Sequence, residues 1–368
     1  MRLFSAALCT TVAVSLLAGC SGNTSSPSSS VPSTGGANAQ AHGLGLRGIA
    51  VNVIPKQFMP VKIMPMRGKR ATAAQMQGIY VSNFFGSELY GYPKNNKGNG
   101  PSTCNVSPTS SVNGFGVDNS GNLMVPNGEN GFTGVSTIAV YSGASMCGTL
   151  LGTITDPYGQ SSDASAVSAT TGNIAVGNIT GVGSGGNPGN LAVCTLSSGT
   201  CSTDLTNPSM YKVAGVAMAP NGDCWADAES PTSVAVLVYF AGCSGAGVVT
   251  TGFSNGYYGG VDIDGKGNLV TTSLFGPGHK LPSTVNVYSG CNPACTLISS
   301  SNLTGESIFG HVGKMSLRYV TTNLSLADVE VYKYRPTGLT LQYSFTGPCG
   351  VTGTDECEAA AYSPSSMK

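Results

Sequence analysis

Val261-Asp262-Ile263-Asp264-Gly265-Lys266-Gly267-Asn268-Leu269-Val270 reads as two short strands about a tight turn. Val261 and Ile263 alternate with Asp262 along the first strand. Asp264 stands where a carboxylate caps the turn's own backbone, and Gly267 can take the positive φ that the turn demands. Leu269 and Val270 open the returning strand, and Thr284-Val285-Asn286-Val287-Tyr288 supplies a third. The unit recurs at 115–125 with Thr137-Ile138-Ala139-Val140-Tyr141, and at 215–225 with Val234-Ala235-Val236-Leu237-Val238-Tyr239. A weaker copy runs over 166–176, followed by Asn190-Leu191-Ala192-Val193. The turn glycines stand at 121, 172, 222 and 267, in steps of 51, 50 and 45 residues. A fourth strand follows a Gly/Ser turn, as at Thr149-Leu150-Leu151-Gly152-Thr153-Ile154. Four antiparallel strands in a repeat of this length make one propeller blade, and several blades must pack radially before the core closes.

Counting predicts an all-β, six-bladed β-propeller over 78–368. Its first blade offers Ile79-Tyr80-Val81-Ser82, Glu88-Leu89-Tyr90-Gly91-Tyr92 and 102–106, and lacks an innermost strand. Ala359-Ala360-Ala361-Tyr362-Ser363-Pro364 is similar to Val216-Ala217-Met218-Ala219-Pro220 and is predicted to supply that strand from the C-terminus. A degenerate blade is expected over 312–346, with Val329-Glu330-Val331-Tyr332-Lys333-Tyr334 as its third strand. Closure by both termini removes the open sheet edge that invites aggregation.

The chain ahead of the repeats has another character. Arg2 precedes an uncharged apolar run from Leu3 to Leu17 that is short for a bilayer span, so 1–19 reads as an export signal. Leu17-Ala18-Gly19-Cys20 resembles the lipobox of bacterial lipoproteins. That resemblance implies acylation of Cys20, attachment to a membrane, and, with Ser21 after the cysteine, outer-membrane sorting in a Gram-negative cell. Residues 20–41 read as a flexible tether rich in Ser, Gly and Pro. Residues 42–77 read as a basic arm carrying Arg47, Lys56, Lys62, Arg67, Lys69 and Arg70.

All 17 acidic residues fall at Glu88 or later, against ten basic ones, so the repeat region carries seven net negative charges. That argues against a nucleic-acid partner, which requires a basic face. Setting aside Cys9 and Cys20, ten cysteines remain, an even number that in an exported chain implies disulfides. The expected pairs are Cys194–Cys201, Cys224–Cys243, Cys291–Cys295, Cys349–Cys357 and Cys104–Cys147.

The repeated Val-Asp-x-x-Gly-Asn-Leu pattern resembles the NHL/gluconolactonase-like group of six-bladed propellers. Such a fold implies a binding face ringed by the segments that lead into the innermost strands: Asn113, Asp163, Tyr211, Tyr258, His311 and Glu358. Glu129, Phe132, Phe275 and His279 join them from the long loops between second and third strands. The resemblance also admits a metal-dependent lactonase, with Asp163, Glu358 and Asn113 imitating its ligands. No nucleophile elbow, Cys–His pair or zinc-ligand spacing accompanies them. The expected function is therefore a lipid-anchored module for a protein or glycan ligand, without a cofactor.

Overall fold

The repeat's turns close as their residues dictate. Asp118 Oδ1 accepts the amides of Ser120 and Asn122, and Oδ2 accepts Asn122 Nδ2 at 2.9 Å. Asp264 repeats the pattern on Lys266 and Asn268. The turn glycines 121, 172, 222 and 267 all hold φ between 70° and 95°, where a Cβ would be strained. At the third turn Asn221 takes over the capping, accepting the amide of Asp223.

These turns belong to a computed structural model that describes residues 78–83, 88–93, 104–106, 114–127, 135–143, 149–168, 170–181, 188–276, 282–313, 317–348 and 357–363. The signal, Cys20, the tether, the arm, Asn113, Glu129, Phe132, Cys147, His279 and Cys349 lie outside them. Cys104 and Glu358 are described only by their place on a strand.

Among the described residues there are 24 strands. The first sheet holds β1 (Gly78–Asn83), β2 (Glu88–Pro93) and β3 (Cys104–Val106), with β24 (Cys357–Ser363) on the inner side of β1. The next comprises β4 (Gly116–Val117), β5 (Leu123–Asn127), β6 (Ser136–Tyr141), β7 (Leu150–Asp156), β8 (Gly159–Val167), β9 (Asn173–Gly181), β10 (Asn190–Thr195) and β11 (Thr200–Leu205). Three further four-stranded sheets follow in chain order. They are β12 (Lys212–Met218) to β15 (Val248–Val249), with β13 (Cys224–Glu229) and β14 (Ala235–Phe240); β16 (Val261–Ile263) to β19 (Thr296–Asn302), with β17 (Leu269–Ser273) and β18 (Thr284–Ser289); and β20 (Gly310–Gly313) to β23 (Gly338–Thr346), with β21 (Arg318–Asn323) and β22 (Asp328–Arg335).

Residues of β4, β8, β12, β16, β20 and β24 line one central cavity. The core lies between successive sheets. Val270, Val285 and Val287 pack with Val312, Tyr319, Tyr332 and Tyr334 of the following sheet. Ile79, Val81 and Tyr92 pack with Val320, Val329, Val331 and Phe345. This is a β-propeller. The expected degenerate repeat is present as β20 to β23, and β24 pairs antiparallel with β1, Ile79 opposite Tyr362. Trp225 is buried on β13.

The second sheet departs from expectation. Two four-stranded repeats, expected as separate sheets, merge into eight strands through a parallel pairing of Thr155 on β7 with Thr200 on β11. Both are outermost strands running the same way, and the amide of Thr155 donates to Gly199 O at the hairpin tip.

Related contacts close other seams. Asn207 Nδ2 donates to Gly247 O. Thr251 donates its amide to Pro293 O and accepts that of Cys295, while Trp225 Nε1 donates to Cys291 O at 2.6 Å. Ser299 Oγ donates to Pro336 O, and the Leu339 amide donates to Ser301 Oγ. In each case the hairpin joining the third and fourth strands of one repeat, or the strand leaving it, reaches the repeat before it, at or just past its outermost strand and, for Cys291, at Trp225 on β13. Three of these hairpins carry a disulfide: Cys194–Cys201, Cys224–Cys243 and Cys291–Cys295. Cys243 sits in a 3-10 turn, three residues past the end of β14. Cys357 is also disulfide-bonded.

Candidate functional site

Tyr257 and Tyr258 immediately precede Gly259, Gly260 and the innermost strand β16. Their rings stack with centroids 4.3 Å apart, and Phe275 meets Tyr257 edge-on at 5.8 Å. Both tyrosines are half-buried. Burial raises both phenols. Glu229 raises each further, and Asp163 adds to the rise at Tyr258. Asp163 and Glu229 are buried. Lys212 Nζ lies 3.4 Å from Glu229 Oε2 and 5.9 Å from the centroid of the Tyr211 ring.

The tyrosine pair rests on a tightly held segment. Ser254 donates its amide to Tyr288 Oη and accepts the Tyr288 hydroxyl on its carbonyl. Asn255 Oδ1 accepts Asn286 Nδ2 at 2.9 Å and the Thr271 hydroxyl at 3.2 Å. Its Nδ2 faces Asp227 Oδ2 at 3.4 Å. Ser273 Oγ bridges the amide and the carbonyl of Tyr257. The Gly259 amide hydrogen-bonds Asp227 as well. Gly215 lets this segment come close, since a Cβ there would stand 2.2 Å from Gly259 O. Asp227 has no exposed surface, and burial pushes its carboxyl well above the usual carboxylate range.

Of the residues singled out from sequence, the structure brings Asp163, Tyr211 and Tyr258 into this cluster, with Phe275 beside it. Tyr257, Lys212 and Glu229 were missed. His311 does not lead into its strand: it lies within β20, facing the axis, with Nε2 3.4 Å from Asp262 Oδ2. Asp262 also accepts the amides of Ile263 and Val312. Asp163, likewise, lies within the nine-residue strand β8.

The axial cavity is an unsuitable place for a ligand. Small residues such as Gly116, Ala164, Gly260 and Ala361 draw the inner strands together and leave about 60 Å³. That holds a few waters, whereas small-molecule sites run to about 300 Å³ or more. Among the described residues no three of His, Cys, Asp and Glu gather as metal ligands do. Of the three that the lactonase resemblance offered, only the Asp163 side chain is described, and it acts on Tyr258.

The fold is similar to a chain from the crystal structure of a nidogen/laminin complex, with a TM-score of 0.57 and 9% identity over 79% of this chain and 100% of that one. A periplasmic gluconolactonase of Pseudomonas aeruginosa aligns at a TM-score of 0.49 and 11% identity, over 78% of this chain and 99% of that one. A functionally unknown protein from Desulfotomaculum acetoxidans aligns at 0.49 and 14%, over 74% and 81%. No protein-family model and no curated protein matches the chain. At such identities the first likeness speaks for the β-propeller fold and for nothing finer.

Proposed function

We propose that this chain is a lipid-anchored, cell-envelope propeller of six blades, the eight-stranded sheet counting as two, that binds a protein or glycan ligand on the face carrying Tyr257 and Tyr258. The observation behind this reading is the stacked tyrosine pair on a segment clamped by Asp227, Asn255 and Ser273. Aromatic rings offer large contact area, and a segment already fixed loses little entropy on binding. Burying a carboxyl costs free energy that hydrogen bonds offset, so the bonds from Asn255 and Gly259 to Asp227 hold this segment to the core. What supports the anchor is the likeness of Leu17-Ala18-Gly19-Cys20 to a lipobox.

The test immobilises the full chain and measures retention of separated envelope glycan and envelope protein fractions. The Y257A/Y258A double variant should lose most of the retention, and K266A, on the exposed turn after β16, should lose none. Equal retention by both would sink the assignment of this face. Cys20→Ala should release the chain from membranes.

A further inference from the structure

Arg318 opens β21 and faces Lys333 on β22, and Arg335 ends that strand two residues on. Opposed residues of an antiparallel ladder share a face, and so do residues two apart. The three cations therefore lie on one face of the last four-stranded sheet. Val320 and Val331 on that face pack with Ile79 and Val81 of the first sheet. Arg318 Nη1 donates to Tyr362 Oη across the seam at 3.1 Å, while Lys333 and Arg335 are exposed. The neighbouring carboxylates serve the other face, where Glu330 accepts the Tyr332 hydroxyl and Asp264 accepts that of Tyr334. Among the described residues no carboxylate forms an ion pair with any of the three cations. Like charges directly opposite each other are destabilising, and this pair stands in a repeat region of seven net negative charges.

The patch lies at a telling place. Arg318 pairs with Gly313, the last residue of β20, whereas Tyr257 and Tyr258 precede the first residue of β16. The cations and the tyrosines thus occupy opposite ends of the propeller. The chain enters β1 at the cationic end, where Gly78 faces Ser363, one position from the Ile79–Tyr362 pair. Arg67, Lys69 and Arg70 come within eleven residues of that entry in sequence. Leu317, 60% exposed, immediately precedes Arg318. Cations beside an exposed aliphatic side chain suit the surface of an anionic bilayer, whereas a soluble phosphate gains nothing from Leu317. We propose that Arg318, Lys333, Arg335 and Leu317 form a contact surface for anionic lipid, the cations taking headgroup phosphates. In the anchored chain this contact seats the turn-bearing end on the bilayer and points Tyr257 and Tyr258 away from it. The proposal deepens the reading of the chain as membrane-attached and rests on it for its setting.

Vesicle co-sedimentation tests it on the chain from position 20 carrying Cys20→Ser. No acyl chain then contributes, and failure of the anchor reading shows separately, as an absence of lipid label on wild-type Cys20. The chain should bind phosphatidylcholine vesicles holding about 30% phosphatidylglycerol and leave vesicles of phosphatidylcholine alone. Each cation near such a surface is worth about fivefold, so K333Q/R335Q should weaken binding about 25-fold and R318Q/K333Q/R335Q about a hundredfold. The double variant changes exposed side chains only, should keep the wild-type melting temperature, and decides the matter if the triple variant misfolds. Leu317→Ser should weaken binding several-fold, and Y257A/Y258A should leave it unchanged. Equal binding by K333Q/R335Q and the parent chain, or loss in K62Q/R67Q/K69Q/R70Q alone, would overturn the assignment to this patch. Inorganic phosphate is titrated as a separate probe. Saturable binding of it that needs Arg318, without binding to vesicles, would replace the bilayer by a soluble anion and overturn the proposal.

Discussion

Asp227 has no exposed surface, and its carboxyl is pushed up by burial, with the amides of Gly259 and Ala228 and the side chain of Asn255 opposing only part of the rise. In the unfolded chain the group titrates near the ordinary carboxylate value, about 4. The native state therefore holds this proton more tightly than the unfolded state does. Its contribution to stability is fully present below that value and is lost as pH rises towards the raised native one. Asp227→Asn should flatten this decline, so the melting temperatures of wild type and variant should converge in acid and separate in the variant's favour towards neutrality. Parallel melting curves from pH 4 to 8 would contradict it.

At the same scale, the turn carboxylates Asp118 and Asp264 were legible, because their partners lie two to four residues along the chain. The bond from the Tyr334 hydroxyl to Asp264 was not, since Tyr334 belongs to the next sheet. Lys212 and Glu229 hid for a subtler reason. Met218 faces Cys224, and counting back pair by pair would set Lys212 against Ser230. A bulge between Val213 and Gly215 shifts the register by one and sets it against Glu229.

Among the elements, the outer hairpins do more than end each repeat. By loop entropy alone the five-residue ring closed by Cys291–Cys295 contributes about 2 kcal/mol, less than a long-range bond would. Yet its residues receive Trp225 Nε1 and pair with Thr251 across the seam. C291S/C295S should therefore accelerate hydrogen exchange at the amide of position 295, and also at Thr251, which lies in the preceding repeat and 40 or more residues away in sequence. Faster exchange confined to 291–295 would reduce the bond to a local clip. The cysteine spacings announced Cys194–Cys201 and Cys291–Cys295, and the strand hairpin announced Cys224–Cys243. The seams they brace were invisible, because contacts such as Thr155 with Gly199 depend on how far each outer strand lies from the axis, and no residue pattern records that distance. One positional regularity does recur along these hairpins. Tyr141, Tyr239, Tyr288 and Tyr332 face Leu150, Val248, Leu297 and Leu341 across the outer pair of strands, and in the remaining complete repeat Cys194 faces Cys201 at the matching place.

For the molecule as a whole, β24 fills the inner position beside β1, with the Ala359 amide donating to Ser82 Oγ and Phe309 bridging to Ala359 from the adjacent sheet. Removing 354–368 exposes the inner edge of β1 and opens the cluster of Ile79, Val81 and Val320. The truncated chain should lose its single cooperative melting transition and aggregate on refolding; a soluble truncation with an unchanged transition would refute closure. This closure was readable from sequence because the C-terminal strand keeps the small-residue pattern of the inner strands. The composition of the tyrosine cluster was only half readable, since Lys212 and Glu229 come from the start of β12 and the end of β13 rather than from the loops.

Ser82 and its partner Ala359 are 277 residues apart, which gives ring closure a timing. At about 5–20 residues per second a ribosome needs on the order of tens of seconds between making the one and making the other. Throughout that interval β1 lacks the inner partner that it has in the folded chain. A chain that stops short of β24 leaves that edge open. Among the pairings of the described strands this one spans the longest stretch of chain, so its two partners wait longest for each other.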